Sequence, residues 1–196
     1  MNYLNKIKTS ILILVFLLNM GAISSTAQTI KGGILGGLSA SQIDGDTQKG
    51  YDKLGFFSGV FVEKMFTKVV GAKVELYYIG KGAKNNAGGV EIFKTHLNYV
   101  EMPFLLTLNP IEHVEVDFGF AYSYLISAKM FEYGDEVPNS AIDMHNSDFS
   151  GIVSGSYYFS TNVAFNIRFD YSLIPVKNNP NWYNSNLSFG FIYKFN

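Results

Sequence analysis

The stretch VAFNIRFDYSL, residues 163–173, alternates large apolar side chains with small or polar ones. Large apolar side chains occupy one parity, whereas Asn166, Arg168 and Asp170 occupy the other. A period of two is the period of a β-strand whose two faces lie in different surroundings. The C-terminal run 188–195 repeats the pattern, and the chain is therefore predicted to be built from such strands.

A single alternating strand does not show which of its faces is buried. A soluble barrel or sandwich buries the apolar parity and leaves the polar parity in water. A transmembrane β-barrel turns the apolar parity to lipid and fills its lumen with the polar parity. Features of the remaining sequence are needed to distinguish these two arrangements.

The N-terminus has the pattern of a secretory signal. Lys6 and Lys8 precede the apolar run 11–18, and Ser25-Thr26-Ala27 supplies small residues for a signal peptidase. The apolar run is about half of the roughly 20 residues that a spanning helix needs. We therefore predict a signal peptide over residues 1–27, with cleavage after Ala27, and one domain over residues 28–196.

The composition favours an exported β protein. The chain contains no Cys, which excludes disulfides, a lipid-modified N-terminal Cys and thiolate metal sites. It contains 13 Tyr, 17 Phe and 19 Gly, which is typical of β structure. The formal net charge of −1 gives no electrostatic case for nucleic-acid binding.

Eight strands are predicted after the signal, at about 29–40, 54–66, 70–81, 94–108, 113–128, 147–159, 163–173 and 188–195. Tight turns follow the even-numbered strands, and long polar loops, including 82–93, 131–146 and 176–185, follow the odd-numbered ones. This asymmetry is typical of outer-membrane barrels, whose long loops are external. Aromatic girdles are expected at the external interface (Tyr78, Tyr122, Tyr124, Tyr171) and the periplasmic one (Tyr157, Phe159, Tyr193, Phe195). Pro103 lacks an amide proton, so a β-bulge is expected in the fourth strand.

Several short motifs along the mature chain resemble one family. They are Gly36-Gly37-Leu38-Ser39-Ala40, Gly55-Phe56 with Gly59, Glu75-Leu76-Tyr77-Tyr78 with Lys81-Gly82, and Tyr99-Val100-Glu101-Met102-Pro103. In this order and spacing they resemble the PorT-like outer-membrane β-barrel domain family over about residues 29–196. The resemblance implies an all-β fold, an eight-stranded antiparallel up-and-down transmembrane β-barrel in a bacterial outer membrane. It implies no reaction, and its pattern includes a proline at position 103.

The inward parity of the predicted barrel carries many charges. Its members are Lys73, Glu75, Glu101, Glu115, Asp117, Arg168, Asp170 and Lys194. Buried charges need partners, and an eight-stranded barrel is just wide enough for side chains to fill it. We predict a structural ion network of Arg168, Glu75, Glu101, Asp117, Asp170 and Lys73. Arg168, the only arginine, is expected to be its hub because a guanidinium can bridge carboxylates. A proton or ion path is the less favoured alternative.

Three histidines raise the question of catalysis or metal binding. His145 lies near Asp143, Ser147 and Asp148 in sequence, where a lipid-modifying barrel enzyme could act, but a solvated loop is the favoured interpretation. His96 and His113 are expected near opposite interfaces and cannot share a metal. Asp44-Gly45-Asp46 lacks the later Glu of a calcium loop and is predicted to be a turn. No catalytic, cofactor or metal site is therefore predicted.

The sequence favours a structural or interaction role exercised through external loops. The expected partners are outer-membrane lipid, the barrel-assembly machinery and an unidentified extracellular or envelope protein. Outward aromatic residues near the C-terminus form the predicted assembly signal, namely Phe189, Phe191, Tyr193 and Phe195, although Asn196 departs from the usual terminal aromatic. The alternatives are a membrane-embedded lipid-modifying enzyme and an exported soluble lipocalin-like barrel with a ligand cavity.

Overall fold

The computed structural model of the chain describes residues 30–46, 50–87, 90–138, 144–178 and 180–195. The predicted signal over residues 1–27 lies outside the described residues, as do Asp143 and Asn196. The described part contains no helix long and apolar enough to cross a membrane.

The described chain is a closed ring of antiparallel strands. The strands are β1 (Ile30–Asp44), β2 (Lys53–Met65), β3 (Val70–Ala87), β4 (Val90–Ile111), β5 (Val114–Glu132), β6 (Asp135–Glu136), β7 (Ser147–Tyr158), β8 (Val163–Ser172) and β9 (Tyr183–Lys194). Their order is β4-β3-β2-β1-β9-β8-β7-β5, and the pairing of β4 with β5 closes the ring. The two-residue β6 pairs with β5 outside it. Eight strands therefore form the barrel, as predicted.

The two ends of the barrel differ in their connections. One end, called the terminal end, carries the start of β1, the end of β9 and the short connections 66–69, 112–113 and 159–162. The opposite end, called the loop end, carries the longer connections 45–52, 137–146 and 173–182 together with the β3–β4 hairpin. The predicted loop 82–93 is wrong, because β3 and β4 stay paired through it as far as Ala87 and Val90. Gly82, Asn85 and Asn86 of that segment lie within β3, and Gly88 and Gly89 lie outside the described residues.

The apolar parity faces outward and the polar parity faces inward. Phe120 is 55% exposed, whereas Asp117 on the same strand is fully buried. The ambiguous second strand follows the same rule, with Phe56 exposed and Phe57 and Phe61 buried in the lumen. This arrangement is the reverse of a soluble lipocalin and matches a transmembrane barrel.

The predicted bulge at Pro103 is wrong. The β3–β4 register is the same on both sides of it, and Pro103 pairs with Ala121 in an unbroken stretch of the β4–β5 register. Glu75 and Leu76, opposite Pro103 and Met102, are missing from the β3–β4 pairing. The missing amide proton therefore leaves a gap in the β3–β4 hydrogen-bond ladder, but there is no extra residue and so no bulge. The β4–β5 register shifts instead near Asn98 and Leu108.

Candidate functional site

The lumen is filled by three groups of charged side chains, stacked between the terminal and loop ends. In the group nearest the terminal end, called the terminal cluster, Lys73 Nζ lies 2.9 Å from Asp117 Oδ2 and also binds Glu115. Lys194 Nζ lies 2.7 Å from Glu115 Oε2 and 2.9 Å from Glu63 Oε1. Two ammonium groups therefore hold three carboxylates, and four of these five residues are almost completely buried.

The middle of the lumen is crossed by a single ion pair. Arg168 Nη1 and Nη2 donate to the two oxygens of Glu75 at 2.6 and 3.0 Å. Glu75 is on β3 and Arg168 on β8, which are opposite one another in the ring. The guanidinium also lies 5.2 Å from the ring centre of Tyr77 and 6.0 Å from that of Phe57. This pair therefore combines bidentate hydrogen bonds with cation–π contacts.

The third group, called the loop-side cluster, is organised by Lys81. Its Nζ lies 2.8 Å from Glu101 Oε2 and 2.6 Å from Asp170 Oδ2. Glu101 also accepts hydrogen bonds from the Tyr77 hydroxyl and from Ser123 Oγ. Lys81 thus ties β3 to its neighbour β4 and to the opposite strand β8.

The structure places all six residues of the predicted network inside the lumen but divides them between different cations. Arg168 contacts Glu75, whereas Glu101 and Asp170 are held by Lys81 and Asp117 by Lys73. The prediction that Arg168 is the hub is therefore wrong. Sequence reasoning missed Lys81 because Gly82 marked a strand end, although continued alternation of Lys73, Glu75, Tyr77, Ile79 and Lys81 was visible. It missed Glu63 because the parity of β2 was ambiguous.

Asp148 lies inside the barrel and not at the rim. It is 1% exposed, and its Oδ2 accepts hydrogen bonds at 2.9 Å from both Ser172 Oγ and Asn184 Nδ2. Asn184 Nδ2 also donates to the Tyr99 hydroxyl at 3.2 Å. Asp148 is thus grouped with lumen residues and separated from the surface histidine that precedes it in sequence.

His145 is bound to a neighbouring loop. Its Nδ1 lies 3.0 Å from the Pro175 carbonyl oxygen and its Nε2 lies 3.2 Å from Asn178 Nδ2. These contacts occupy both ring nitrogens and bring no nucleophile to them. Within the described residues, no three acidic, Cys or His side chains are grouped so that they could hold a metal ion.

An apolar layer, called the cap, lies above the loop-side cluster. It is formed by buried side chains from β1, β3, β4, β5 and the 173–182 connection, namely Ile43, Ala83, Leu97, Met130, Val176 and Trp182. Phe93, Val137 and Met144 pack against the core that contains it. The cap was not predicted, because most of its residues fall in segments predicted as loops. At the terminal end a vestibule of about 590 Å³ opens instead, with Glu115 and Lys194 among its lining residues.

The outer surface carries the predicted aromatic residues at both ends of the apolar band. Tyr122 and Tyr124 are exposed towards the loop end, and Tyr157 and Phe159 towards the terminal end. The C-terminal aromatics Phe189, Phe191, Tyr193 and Phe195 also face outward. The wall of the barrel is therefore apolar outside and ionic within.

Comparison with solved structures supports the same fold. Neisserial surface protein A is 13% identical over 86% of this chain and 100% of its own, with a TM-score of 0.59. Ail, the attachment invasion locus protein of Yersinia pestis, is 14% identical over 84% of this chain and 98% of its own, with a TM-score of 0.53. A second Ail structure, in complex with the heparin analogue sucrose octasulfate, has a TM-score of 0.52 at 13% identity, over 85% of this chain and 99% of its own.

A search of curated protein sequences gives no match. The family model described as an outer membrane protein beta-barrel domain matches residues 26–178. This match covers most of the chain and agrees with the closed ring of eight strands and its apolar exterior. The chain therefore belongs to the outer membrane protein β-barrel domain family and resides in the bacterial outer membrane.

Proposed function

We propose that this protein is a closed, non-conducting barrel with a structural or interaction role at its loop end. The observation that carries the proposal is the filled lumen, in which three ion-paired groups lie beneath the apolar cap. A water-filled pore needs a continuous polar path, and the cap interrupts such a path at Leu97, Val176 and Trp182. The barrel wall is then a membrane anchor that holds the loop end in a fixed geometry.

Planar bilayer recordings test the closed lumen. Purified full-length protein should give no stable porin-sized steps, and a porin reconstituted in the same way serves as the positive control. Reproducible large steps from the pure protein would overturn the proposal.

The β5–β6 hairpin supports an interaction role. Tyr133 at its tip is 77% exposed and has a φ of 52°, in the left-handed region. A non-glycine residue pays roughly 1–2 kcal/mol for this conformation. The Tyr133 amide donates to the Ile92 carbonyl oxygen at 2.8 Å, which fixes the tip against β4. Exposed tyrosines whose backbone is fixed are frequent anchors of protein interfaces. We assign Tyr133 this role in contact with an envelope or extracellular protein.

Photo-crosslinking on intact cells tests the anchor. A crosslinker at Glu132 should capture a defined protein partner, and Tyr133→Asn should abolish capture because Asn tolerates the left-handed conformation but lacks the ring. A crosslinker at Tyr157, on the outer wall near the terminal end, is the matched control. Equal capture with Asn at position 133 would contradict the assignment.

We extend the proposal to the family subgroup of the protein, to its assembly and to the absence of catalysis. Resemblance to PorT-like barrels supports placement in that subgroup, and the outward aromatics from Phe189 to Phe195 support recognition by the barrel-assembly machinery. We further propose that the protein is not an enzyme. His145→Ala combined with Ser147→Ala should leave the envelope lipid profile unchanged, and an altered profile would revive the lipid-modifying alternative.

A further inference from the structure

The loop-side half of the lumen contains more buried acids than bases. Its charged side chains that are at most 1% exposed are the carboxylates Glu75, Glu101, Asp148 and Asp170 and the cations Arg168 and Lys81, whereas Asp46 is 8% and Lys53 6% exposed. Lys53 lies at the rim, where its ammonium donates to the Leu54 carbonyl oxygen. Within the described chain, Asp148 is the carboxylate of this set that no ion pair reaches. Lys81, whose ammonium already pairs with Glu101 and Asp170, acts on Asp148 only from beyond ion-pair distance, so Asp148 can still take a further positive charge or a proton.

Several oxygen atoms around Asp148 are buried and accept no hydrogen bond from the described residues. They are Asp148 Oδ1, Asn184 Oδ1 and Ser150 Oγ. The orientation of the Asn184 amide is fixed, because its nitrogen donates both to Asp148 Oδ2 and to the Tyr99 hydroxyl. Its carbonyl oxygen is therefore an acceptor that the protein leaves without a donor.

The strand register brings these oxygens to one part of the wall. Ser150 pairs with Ser172 across β7 and β8, and Asp148 lies two residues before Ser150 on the same face. Ser172 Oγ donates to Asp148 Oδ2 and accepts from the backbone N–H of Asn184, both at 2.9 Å. The Ser172 hydroxyl thus joins Asp148 to Asn184, and the strand register places Ser150 beside Ser172. These four residues, Asp148, Ser150, Ser172 and Asn184, are called the Asp148 cluster.

We propose that the Asp148 cluster binds a hard cation, Na⁺ or Ca²⁺, inside the lumen. Carboxylate, amide carbonyl and hydroxyl oxygens are the ligands that such cations prefer, and the cluster offers no nitrogen or sulfur acceptor to a softer metal. The cluster supplies one carboxylate and several neutral oxygens, unlike a metal site built from several acidic residues. Water molecules would fill the remaining coordination positions of the ion. The bound ion compensates the excess negative charge and ties β7 to β9 across β8.

Unfolding of the full chain in detergent tests the site. After treatment with a chelator, the thermal midpoint is followed by Trp182 fluorescence in choline chloride, sodium chloride and calcium chloride at equal ionic strength. One metal salt should raise the midpoint saturably above that in choline chloride, and the salt that does so identifies the ion. Equilibrium dialysis with radioactive sodium or calcium should give one ion per barrel.

Variants separate the site from general salt effects. Asp148→Asn keeps the shape of the side chain and should abolish the response. Ser150→Ala should weaken the apparent affinity at least about tenfold while the barrel still folds. Glu112→Gln, an exposed acid at the terminal end, should respond like the wild type.

Three results would overturn the site. They are an equal midpoint in all three salts, an unchanged response in Asp148→Asn or Ser150→Ala, and a midpoint that depends on pH but not on salt. The last result would mean that a proton neutralises Asp148. If Asp148→Asn does not fold, the Ser150→Ala affinity and the dialysis stoichiometry decide.

Discussion

Loss of Lys81 should destabilise the barrel more than loss of Arg168. Lys81 holds Glu101 at 2.8 Å and Asp170 at 2.6 Å, and all three side chains are fully buried. Arg168 holds Glu75 alone, although with two hydrogen bonds. Lys81→Met therefore leaves two carboxylates without their cation, whereas Arg168→Met leaves one.

The expected losses follow from these counts. Removing one partner of a buried ion pair typically costs about 3–5 kcal/mol, which is the range expected for Arg168→Met. Lys81→Met should exceed it, with an upper bound of roughly twice that cost. The Lys81→Met deficit should shrink in acid, because a stranded carboxylate can then take up a proton.

Urea unfolding of protein refolded in lipid vesicles measures these losses. Trp182 is the only tryptophan and reports on the cap. Lys129→Met is the matched control, because Lys129 pairs with Glu136 at 3.2 Å on the surface and such pairs contribute at most about 1 kcal/mol. Arg168→Met combined with Glu75→Gln should recover much of the single-variant loss, since no carboxylate is then left unpaired.

Two outcomes would refute this reasoning. A larger loss in Arg168→Met than in Lys81→Met at neutral pH would mean that the charges are shared differently from the arrangement described. A double variant no more stable than Arg168→Met would mean that the loss comes from packing against the aromatic rings and not from charge.

Three further predictions concern topology, assembly and packing. Protease sites in 131–146 should be cleaved on intact cells, and cleavage only after outer-membrane permeabilisation would reverse the topology. Deleting residues 191–196 removes the β9 partners of Gly33 to Gly36 in β1 and should deplete the protein from the membrane; normal levels would contradict this. Gly33→Ala should destabilise the barrel in the same unfolding assay, because the added methyl group would lie 2.4 Å from Phe61 ring atoms. Gly155→Ala should be neutral, because its methyl group would meet no atom within 4 Å.

The faces of the strands could be predicted wherever one parity is uniformly apolar. In β7, in β8, in β9 from Ser188 and in β5 as far as Ile126, the alternation assigns each side chain to the lumen or to lipid. Beyond Ile126 the register shifts, and Met130, on the outward parity, is buried in the cap. In β2 the alternation cannot make this assignment, because Phe56 and Phe57 lie on opposite parities. Phe57 and Phe61 fit inside because Gly190 and Gly33 leave room for their rings, and this complementarity depends on strands distant in sequence.

The loop end could not be predicted from local signals. Asn and Gly near residue 86 indicate a turn, but they do not say how far the flanking strands continue beyond the membrane. Ile43 and Trp182 lie among mostly polar neighbours and Val176 follows a proline near the end of an apolar segment, a pattern that does not distinguish a buried cluster from scattered surface residues. They become a cap only when the closed ring brings four connections to one end.

The alternation of apolar and polar residues does not by itself fix the strand register. The buried charges provide the missing constraint. A slip of two residues along β8 would keep every side chain on its own face, so the hydrophobic pattern alone would not oppose it. The same slip would move Arg168 away from Glu75 and Asp170 away from Lys81, both on the opposite strand β3. Each broken pair would leave an uncompensated buried charge, at a cost of several kcal/mol. The ion pairs across the lumen therefore select one stagger among those that parity allows, which explains why their partners could not be read from strand patterns alone.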